Sequence, residues 1–204
     1  MSLLYRSVRW LSRHLFSLLY HHTVVNSCNI PSEGALIAPN HLSYLDPPLV
    51  ACSLRDEAYF WARLSLFRNP IFGFLLRHLH ALPVAGVGSD HHSYKALCHQ
   101  LQKGSKVVIF PEGVRSSDGG LTRIKPGTAR LALRTGAPIV PALIEGSYEI
   151  WPRSKLLPAL RGRTKITFAE PLYPSKYAHL PLAEAQKCLT SDLESALQTL
   201  ADKS

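Results

Sequence analysis

The sequence predicts an α/β fold: a single layered domain with a mixed, partly parallel sheet flanked by helices, preceded by an N-terminal amphipathic helix. Three observations carry this reading. Short apolar runs bounded by Gly, Pro or Asp alternate with helical segments through most of the chain, the pattern of strands and crossover helices. Unusual polar residues fall just after two of those runs, where open α/β sheets place their sites. The first 25 residues instead repeat leucine at helical spacing, with arginines on the opposite side. At 204 residues the chain suffices for one ordinary domain, and no linker, repeat or low-complexity tract divides it.

Taken in order, Leu4, Val8, Leu11, Leu15, Leu18 and Leu19 share one face of the first helix, while Arg6, Arg9 and Arg13 gather opposite, with Trp10 and His14 on the flank. Pro31 to Gly34 is a turn, and Ala35-Leu36-Ile37-Ala38 is a strand ending at Pro39. Pro47-Pro48 suits the opening of a helix through Leu54, because proline is tolerated in a first turn. Glu57 to Ala62 is a second strand and Ala81 to Val84 a short one, separated by an apolar segment, 64–79, that fits either the core or a surface patch. Gly86 to Asp90 reads as a loop, His92 to Lys103 as a helix stopped by Gly104, and Lys106 to Phe110 as a buried strand. Asp118-Gly119-Gly120 is a turn, Gly127 to Thr135 a helix ended by Gly136, and Ala137 to Ile144 an apolar strand. Lys165 to Ala169 alternates like a late strand, and Leu182 to Leu200 carries apolar residues at helical spacing.

Bulk properties narrow the class. Hydrophobic residues make up 46% and charged residues 18%, which points to a folded chain rather than a disordered one. The net charge of +9 implies an anionic partner. Nucleic acid is not expected, since the chain has no helix-turn-helix, zinc or RNP-type signature and its basic residues are dispersed. The four cysteines, Cys28, Cys52, Cys98 and Cys188, form no Cys-x-x-Cys pair and read as reduced thiols. The N-terminal segment carries too many charges to span a bilayer. It has the composition of a helix lying in the headgroup plane of an anionic membrane surface, with core packing as the competing reading.

The stretch Asn40-His41-Leu42-Ser43-Tyr44-Leu45-Asp46 follows the first central strand. A turn that folds Asp46 back onto His41 fixes the imidazole tautomer and leaves the other ring nitrogen to accept a proton. No serine or cysteine of a recognisable nucleophile motif accompanies the pair, so the hydroxyl must come from a substrate. A plain alternative is that His41 starts a helix with Asp46 exposed in its first turn. A second polar block, Phe110-Pro111-Glu112-Gly113-Val114-Arg115-Ser116, ends another strand. On the residues alone, Glu112 and Arg115 form either an internal ion pair or part of a site.

Asn-His-x4-Asp followed about seventy residues later by Phe-Pro-Glu-Gly-x-Arg-Ser resembles the glycerolipid acyltransferases, most of all the 1-acylglycerol-3-phosphate acyltransferases. Lys125-Pro126-Gly127 and Val140-Pro141-Ala142-Leu143-Ile144 fit the same family, so that the resemblance runs from about Ile30 to Tyr148. It implies an acyltransferase domain, read as residues 26–204, after the membrane-association segment that composition gives for residues 1–25; with the reduced cysteines, this places the protein at the cytoplasmic side of a membrane. His41 and Asp46 are then catalytic, and Asn40, Glu112, Gly113, Arg115, Ser116 and Lys125 bind substrate. The implied donor is acyl-CoA or acyl carrier protein, the acceptor a membrane lipid, and neither cofactor nor metal is called for. One departure stands out. The family usually places a phosphate-binding arginine just after the short strand, where this chain has Gly86. Another lysophospholipid is therefore the alternative acceptor, and a non-catalytic binder of anionic membranes the rival outside enzymes. A hydrolase using the His–Asp pair with water ranks lower, because no Gly-x-Ser-x-Gly or His-Glu-x-x-His motif is present.

Overall fold

A computed structural model describes residues 3–84 and 91–203. The N-terminal helix is α1 (Leu3–Tyr20), followed by strand β1 (Thr23–Val25). Then come β2 (Ala35–Pro39), α2 (Asp46–Ser53), β3 (Ala58–Arg63), α3 (Pro70–His78), β4 (Ala81–Val84) and α4 (His91–Gln102). The rest is β5 (Lys106–Val108), α5 (Gly127–Thr135), β6 (Ile139–Glu145), α6 (Ser147–Ile150), β7 (Lys165–Phe168) and α7 (Leu182–Asp202). Seven strands form one sheet in the order β1-β7-β6-β2-β5-β3-β4. Pairs β2–β5, β2–β6, β3–β5 and β3–β4 are parallel, as is β1–β7, whereas β6–β7 is antiparallel. The expected mixed, partly parallel sheet with flanking helices is therefore present, and most of its pairs are parallel.

Two cores cover the two faces, and β2 shows why. Its residues alternate: Ala35 and Ile37 face one core with Phe16, Tyr20, Leu49 and Val50, while Leu36 and Ala38 face the other with Leu97, Leu131, Leu189 and Leu193. Helices α1 and α2 thus lie on one side, and α4, α5 and α7 on the other. The buried Lys106 at the start of β5 donates to the carbonyls of Pro31, Ser32 and Glu33, closing the turn before β2. Helix α5 stops where expected, because Gly136 takes φ +74° and returns its N–H to Ala132 O.

Two expectations change in detail. Helix α1 does pack on the domain, but through Tyr5, Phe16 and Tyr20, which are buried. Of the predicted leucine face, Leu4, Leu11, Leu15 and Leu18 are exposed, and Trp10 is 62% exposed. Arg9 does not stand free: its Nη1 donates to Arg55 O at 2.6 Å, beyond the carboxyl end of α2, where a cation complements the helix dipole. The segment 64–79 is likewise divided, with Phe67 buried and Leu64, Leu66 and Phe74 exposed. The loop at Gly86 to Asp90 lies outside the described residues.

Candidate active site

Strand β2 lies at the middle of the sheet between β5 and β6, and its carboxyl end delivers Asn40 and His41. Asn40 is buried and clamps β6: its Nδ2 donates to Ile144 O at 3.0 Å and its Oδ1 accepts from Ile144 N at 2.7 Å. The chain then turns so that Asp46 opens α2 and faces back. His41 Nδ1 lies 2.9 Å from Asp46 Oδ2. The same oxygen accepts the N–H groups of Leu42 at 2.6 Å and Ser43 at 2.7 Å, while Ser147 Oγ donates to Oδ1 at 2.6 Å. Asp46 is fully buried, and its neighbours all present donors, the complement of a carboxylate. Nδ1 therefore carries the ring proton, and Nε2 keeps a lone pair. Of the two readings of Asp46, the one that folds it onto the ring is correct.

The second loop grips His41 from the other side. Glu112 Oε1 accepts the His41 N–H at 2.9 Å, and Ser116 N donates to His41 O at 2.8 Å. Phe110 stacks on the imidazole with ring centroids 4.0 Å apart. The other Glu112 oxygen accepts from the Thr122 hydroxyl. Burial pushes the Glu112 carboxyl above its ordinary range, against the opposing pull of the Thr122 and His41 hydrogen bonds. Glu112 and Arg115 are thus not an ion pair within this loop; Glu112 braces the histidine. Ser116 is buried too, its Oγ donating to Asp118 at 2.8 Å and accepting Gly119 N–H at 3.1 Å.

Gly113 sits at φ +74°, and a Cβ there would come within 2.8 Å of Lys125 Nζ. The positive φ of the turn calls for glycine, while the flexible end of Lys125 lying across it could shift aside. The Arg115 guanidinium carbon stands 3.6 Å from the centroid of the Tyr44 ring. Its Nη1 has no hydrogen-bond partner among the described residues. Lys125 is anchored through its backbone N–H to Pro111 O at 2.9 Å.

The predicted residues thus divide by placement. His41 and Asp46 meet as a pair; Lys125 is exposed, and Arg115 is half-buried with its unpartnered Nη1 shielded from solvent. Asn40, Glu112 and Ser116 have their polar atoms engaged within the protein, which differs from the expectation that they hold a substrate. Sequence reasoning missed Ser147, Tyr44 as the platform of Arg115, and Thr122. Tyr44 lies inside the first motif and Phe110 inside the second, whereas Ser147 is 101 positions from Asp46 and gives no local signal. In sequence, Asp90, His91 and His92 with Cys98 and His99 fall short of a metal site in ligand count and spacing, and Asp90 and the two histidine side chains lie outside what is described.

The geometry suits abstraction of a proton from an incoming hydroxyl by His41 Nε2, with Asp46 holding the imidazolium that forms. The acyltransferase family profile matches residues 21–145, which include both loops. The 1-acyl-sn-glycerol-3-phosphate acyltransferase of Bacillus subtilis (strain 168) is 30% identical over 182 residues, 88% of either chain. The chloroplastic 1-acyl-sn-glycerol-3-phosphate acyltransferase BAT2 of Brassica napus is 30% identical over 152 residues, 72% of this chain but 44% of that longer one. In structure, the 1-acyl-sn-glycerophosphate acyltransferase PlsC of Thermotoga maritima superposes with a TM-score of 0.79 over 97% of this chain and 79% of its own, at 24% identity, and so shares the fold. On the family match and the extent of these identities, the chain belongs to the acyltransferase family.

Proposed function

We propose that this acyltransferase moves a fatty acyl group from acyl-CoA or acyl carrier protein to the free hydroxyl of 1-acylglycerol-3-phosphate, giving phosphatidic acid for phospholipid synthesis. The observation that carries the reading is the buried Asp46 holding His41 Nδ1 at 2.9 Å, which leaves Nε2 as the proton acceptor. His41 Nε2 takes the hydroxyl proton as the oxygen attacks the thioester carbonyl carbon. The new C–O bond forms, the C–S bond breaks, and the proton passes from Nε2 to the leaving thiolate. No acyl-enzyme is needed. A positioned base contributes about 10²–10⁴-fold, so holding both substrates in line supplies much of the remainder.

Arg115 and Lys125 are assigned to the acceptor phosphate, the arginine by its planar fork and its donor that lacks a partner. Asn40, Glu112, Gly113 and Ser116 act on the substrate through the loops they shape. The enzyme works at the cytoplasmic side of an anionic membrane, resting on the exposed leucines of α1; among the described residues no helix is long and apolar enough to cross it. Gly86 supports a second reading, in which the acceptor is a different lysophospholipid with a larger or neutral head group.

Release of free thiol from acyl-CoA and from acyl carrier protein, each with and without 1-acylglycerol-3-phosphate, tests the proposal. Acceptor-dependent release with phosphatidic acid as product is expected. Acceptor-independent release means a hydrolase, and none with any donor or lysolipid means a binder.

A further inference from the structure

The segment between β6 and β7 presents a second apolar surface that the site does not use. Leu156, Leu157 and Leu160 are 89%, 74% and 80% exposed, among the most exposed large apolar side chains described. They do not sit on a frayed end. Trp151 Nε1 donates to Lys155 O at 3.2 Å and Ala159 N–H to Ile150 O at 2.9 Å, so the loop is closed at its root. Its far side is tied to the last turn of α1: Tyr20 Oη donates to Ala159 O at 3.1 Å, and Gly162 N–H to Leu19 O at 3.2 Å. The fold spends several hydrogen bonds on holding three leucines out in water, which soluble surfaces rarely do for contiguous apolar groups.

Charge supplies the second half of the argument. Arg153, Lys155, Arg161 and Arg163 flank the leucines, and no acidic residue occurs between Glu149 and Glu170. Leucines flanked in sequence by cations, of which Lys155 also donates to Glu149 O at 3.1 Å, match the profile of an anionic bilayer, where acyl chains lie beneath phosphates. Position supplies the third. Leu18, 76% exposed, precedes the residue that binds Gly162, so the loop continues from the exposed strip of α1. At its root, Trp151 O accepts from Ser43 Oγ at 2.7 Å and from Tyr44 N–H at 3.3 Å, within the turn between His41 and Asp46.

We propose that residues 153–163 form a second membrane-insertion element, whose leucines enter an anionic lipid surface beside α1 and hold the His41 turn against it. The proposal rests on the reading of α1 as a surface helix. Its chemistry is that of a lipid surface: the leucines occupy the upper acyl region and the four cations meet lipid phosphates, each cation worth roughly fivefold in partitioning.

Tryptophan fluorescence separates the two elements. The chain also holds Trp61 and Trp151, so the difference between the wild type and Trp10→Phe reports on α1. In Trp10→Phe/Leu157→Trp, the new tryptophan reports on the loop, above the background measured in Trp10→Phe alone. With vesicles of phosphatidylglycerol and brominated phosphatidylcholine, the Leu157→Trp emission is expected to shift to shorter wavelength and be quenched. Leu156→Ser/Leu157→Ser/Leu160→Ser, all at exposed positions, is expected to weaken vesicle partitioning at least tenfold with an unchanged circular dichroism spectrum. Quenching of Trp10 without any change at Leu157→Trp overturns the loop assignment and leaves α1 standing. Quenching of neither overturns both. If the triple variant keeps vesicle binding and loses binding of acyl carrier protein instead, the surface belongs to a protein and the proposal is wrong.

Discussion

Ser147 Oγ donates to Asp46 Oδ1 at 2.6 Å, joining residues 101 positions apart at the base of the His41–Asp46 pair. Asp46 Oδ2 is fully occupied by His41 and two backbone N–H groups, so Ser147 alone among the described residues fixes the roll of the carboxylate about its own axis. Removing a buried donor of this kind costs about 1–3 kcal/mol. Ser147→Ala is expected to lower kcat roughly tenfold while acceptor KM stays within about twofold, because Ser147 touches no substrate. A fall in thermal stability with kcat intact gives it a structural role only. His41→Ala should remove about 10²–10⁴-fold of the rate in a folded protein, and Asp46→Asn should approach it, because its amide oxygen takes the three donors at Oδ2 but carries no charge to hold the imidazolium. Substantial turnover by folded His41→Ala removes the general-base role.

Glu112 is a brace whose task is to accept the His41 N–H and the Thr122 hydroxyl. A glutamine in the same rotamer keeps one acceptor for His41 and offers its amide to the Thr122 oxygen, which is able to accept. Glu112→Gln is therefore expected to keep kcat within about tenfold, whereas Glu112→Ala orphans a buried N–H and loses far more. Steady-state kinetics of the two variants decide it. Equal, severe losses would mean that the charge itself meets the substrate.

The strands around the site are legible in the sequence, and the reasons are physical. β2, β5 and β6 are buried on both faces, so each reads as a mainly apolar run, with the buried Lys106 opening β5 and Glu145 closing β6. β1 was not legible, being three exposed residues with no burial pattern to read. Helix α1 shows the limit of periodicity. Its leucines announce an amphipathic helix, yet the face that packs is made of Tyr5, Phe16 and Tyr20. Two of these use their hydroxyls, Tyr5 Oη accepting Ala58 N–H at 3.1 Å and Tyr20 Oη donating to Ala159 O. Residues that bond as well as pack are underweighted by any count of apolar side chains. In the same way the bond from the His41 N–H to Glu112 spans 71 positions and leaves no local signal.

His22 makes stability depend on pH. Its ring is wedged between Thr164 Oγ1 and Ser53 Oγ, each at 2.9 Å, and burial, with help from nearby Arg13, lowers its pKa to about 4. The unfolded chain takes up the proton near its ordinary value of about 6.5. Between about 6.5 and about 4 the unfolded state therefore binds more protons, and stability falls as pH falls through that window. After solvent screening the loss amounts to roughly 2 kcal/mol. Chemical denaturation of the wild type and His22→Asn at pH 7 and 4.5 should show the shallower acid loss in the variant. Parallel losses would remove His22 as the cause. Glu112 acts with the opposite sign, since a carboxyl raised by burial makes stability decline as pH rises from its unfolded value through its folded one.

The Arg115 guanidinium stands over Tyr44, its carbon 3.6 Å from the ring centroid, with the buried Nη1 lacking a hydrogen-bond partner among the described residues. The ring supports the cation without occupying its in-plane donors, which leaves the fork to an anion. A phosphomonoester is costly to bury without such a partner. With 1-acylglycerol-3-phosphate as acceptor, Arg115→Ala is expected to raise acceptor KM about tenfold to a hundredfold, the worth of one or two charge-assisted hydrogen bonds. Arg115→Lys should recover part of it, keeping the charge and losing the fork. Tyr44→Leu should give a smaller rise by removing the platform, and Lys125→Ala a smaller rise again, since Lys125 presents a point charge on a flexible stem. Gly86→Arg should be tolerated and bring little gain, because Arg115 already supplies the charge. The rival acceptor, a lysophospholipid with a larger or neutral head group, makes the opposite demand: Arg115→Ala would then scarcely alter acceptor KM, and the wild type would turn over that lipid faster than 1-acylglycerol-3-phosphate. Kinetics of the wild type and Arg115→Ala on both acceptors separate the two, because only a terminal phosphate makes the arginine and the substrate depend on each other.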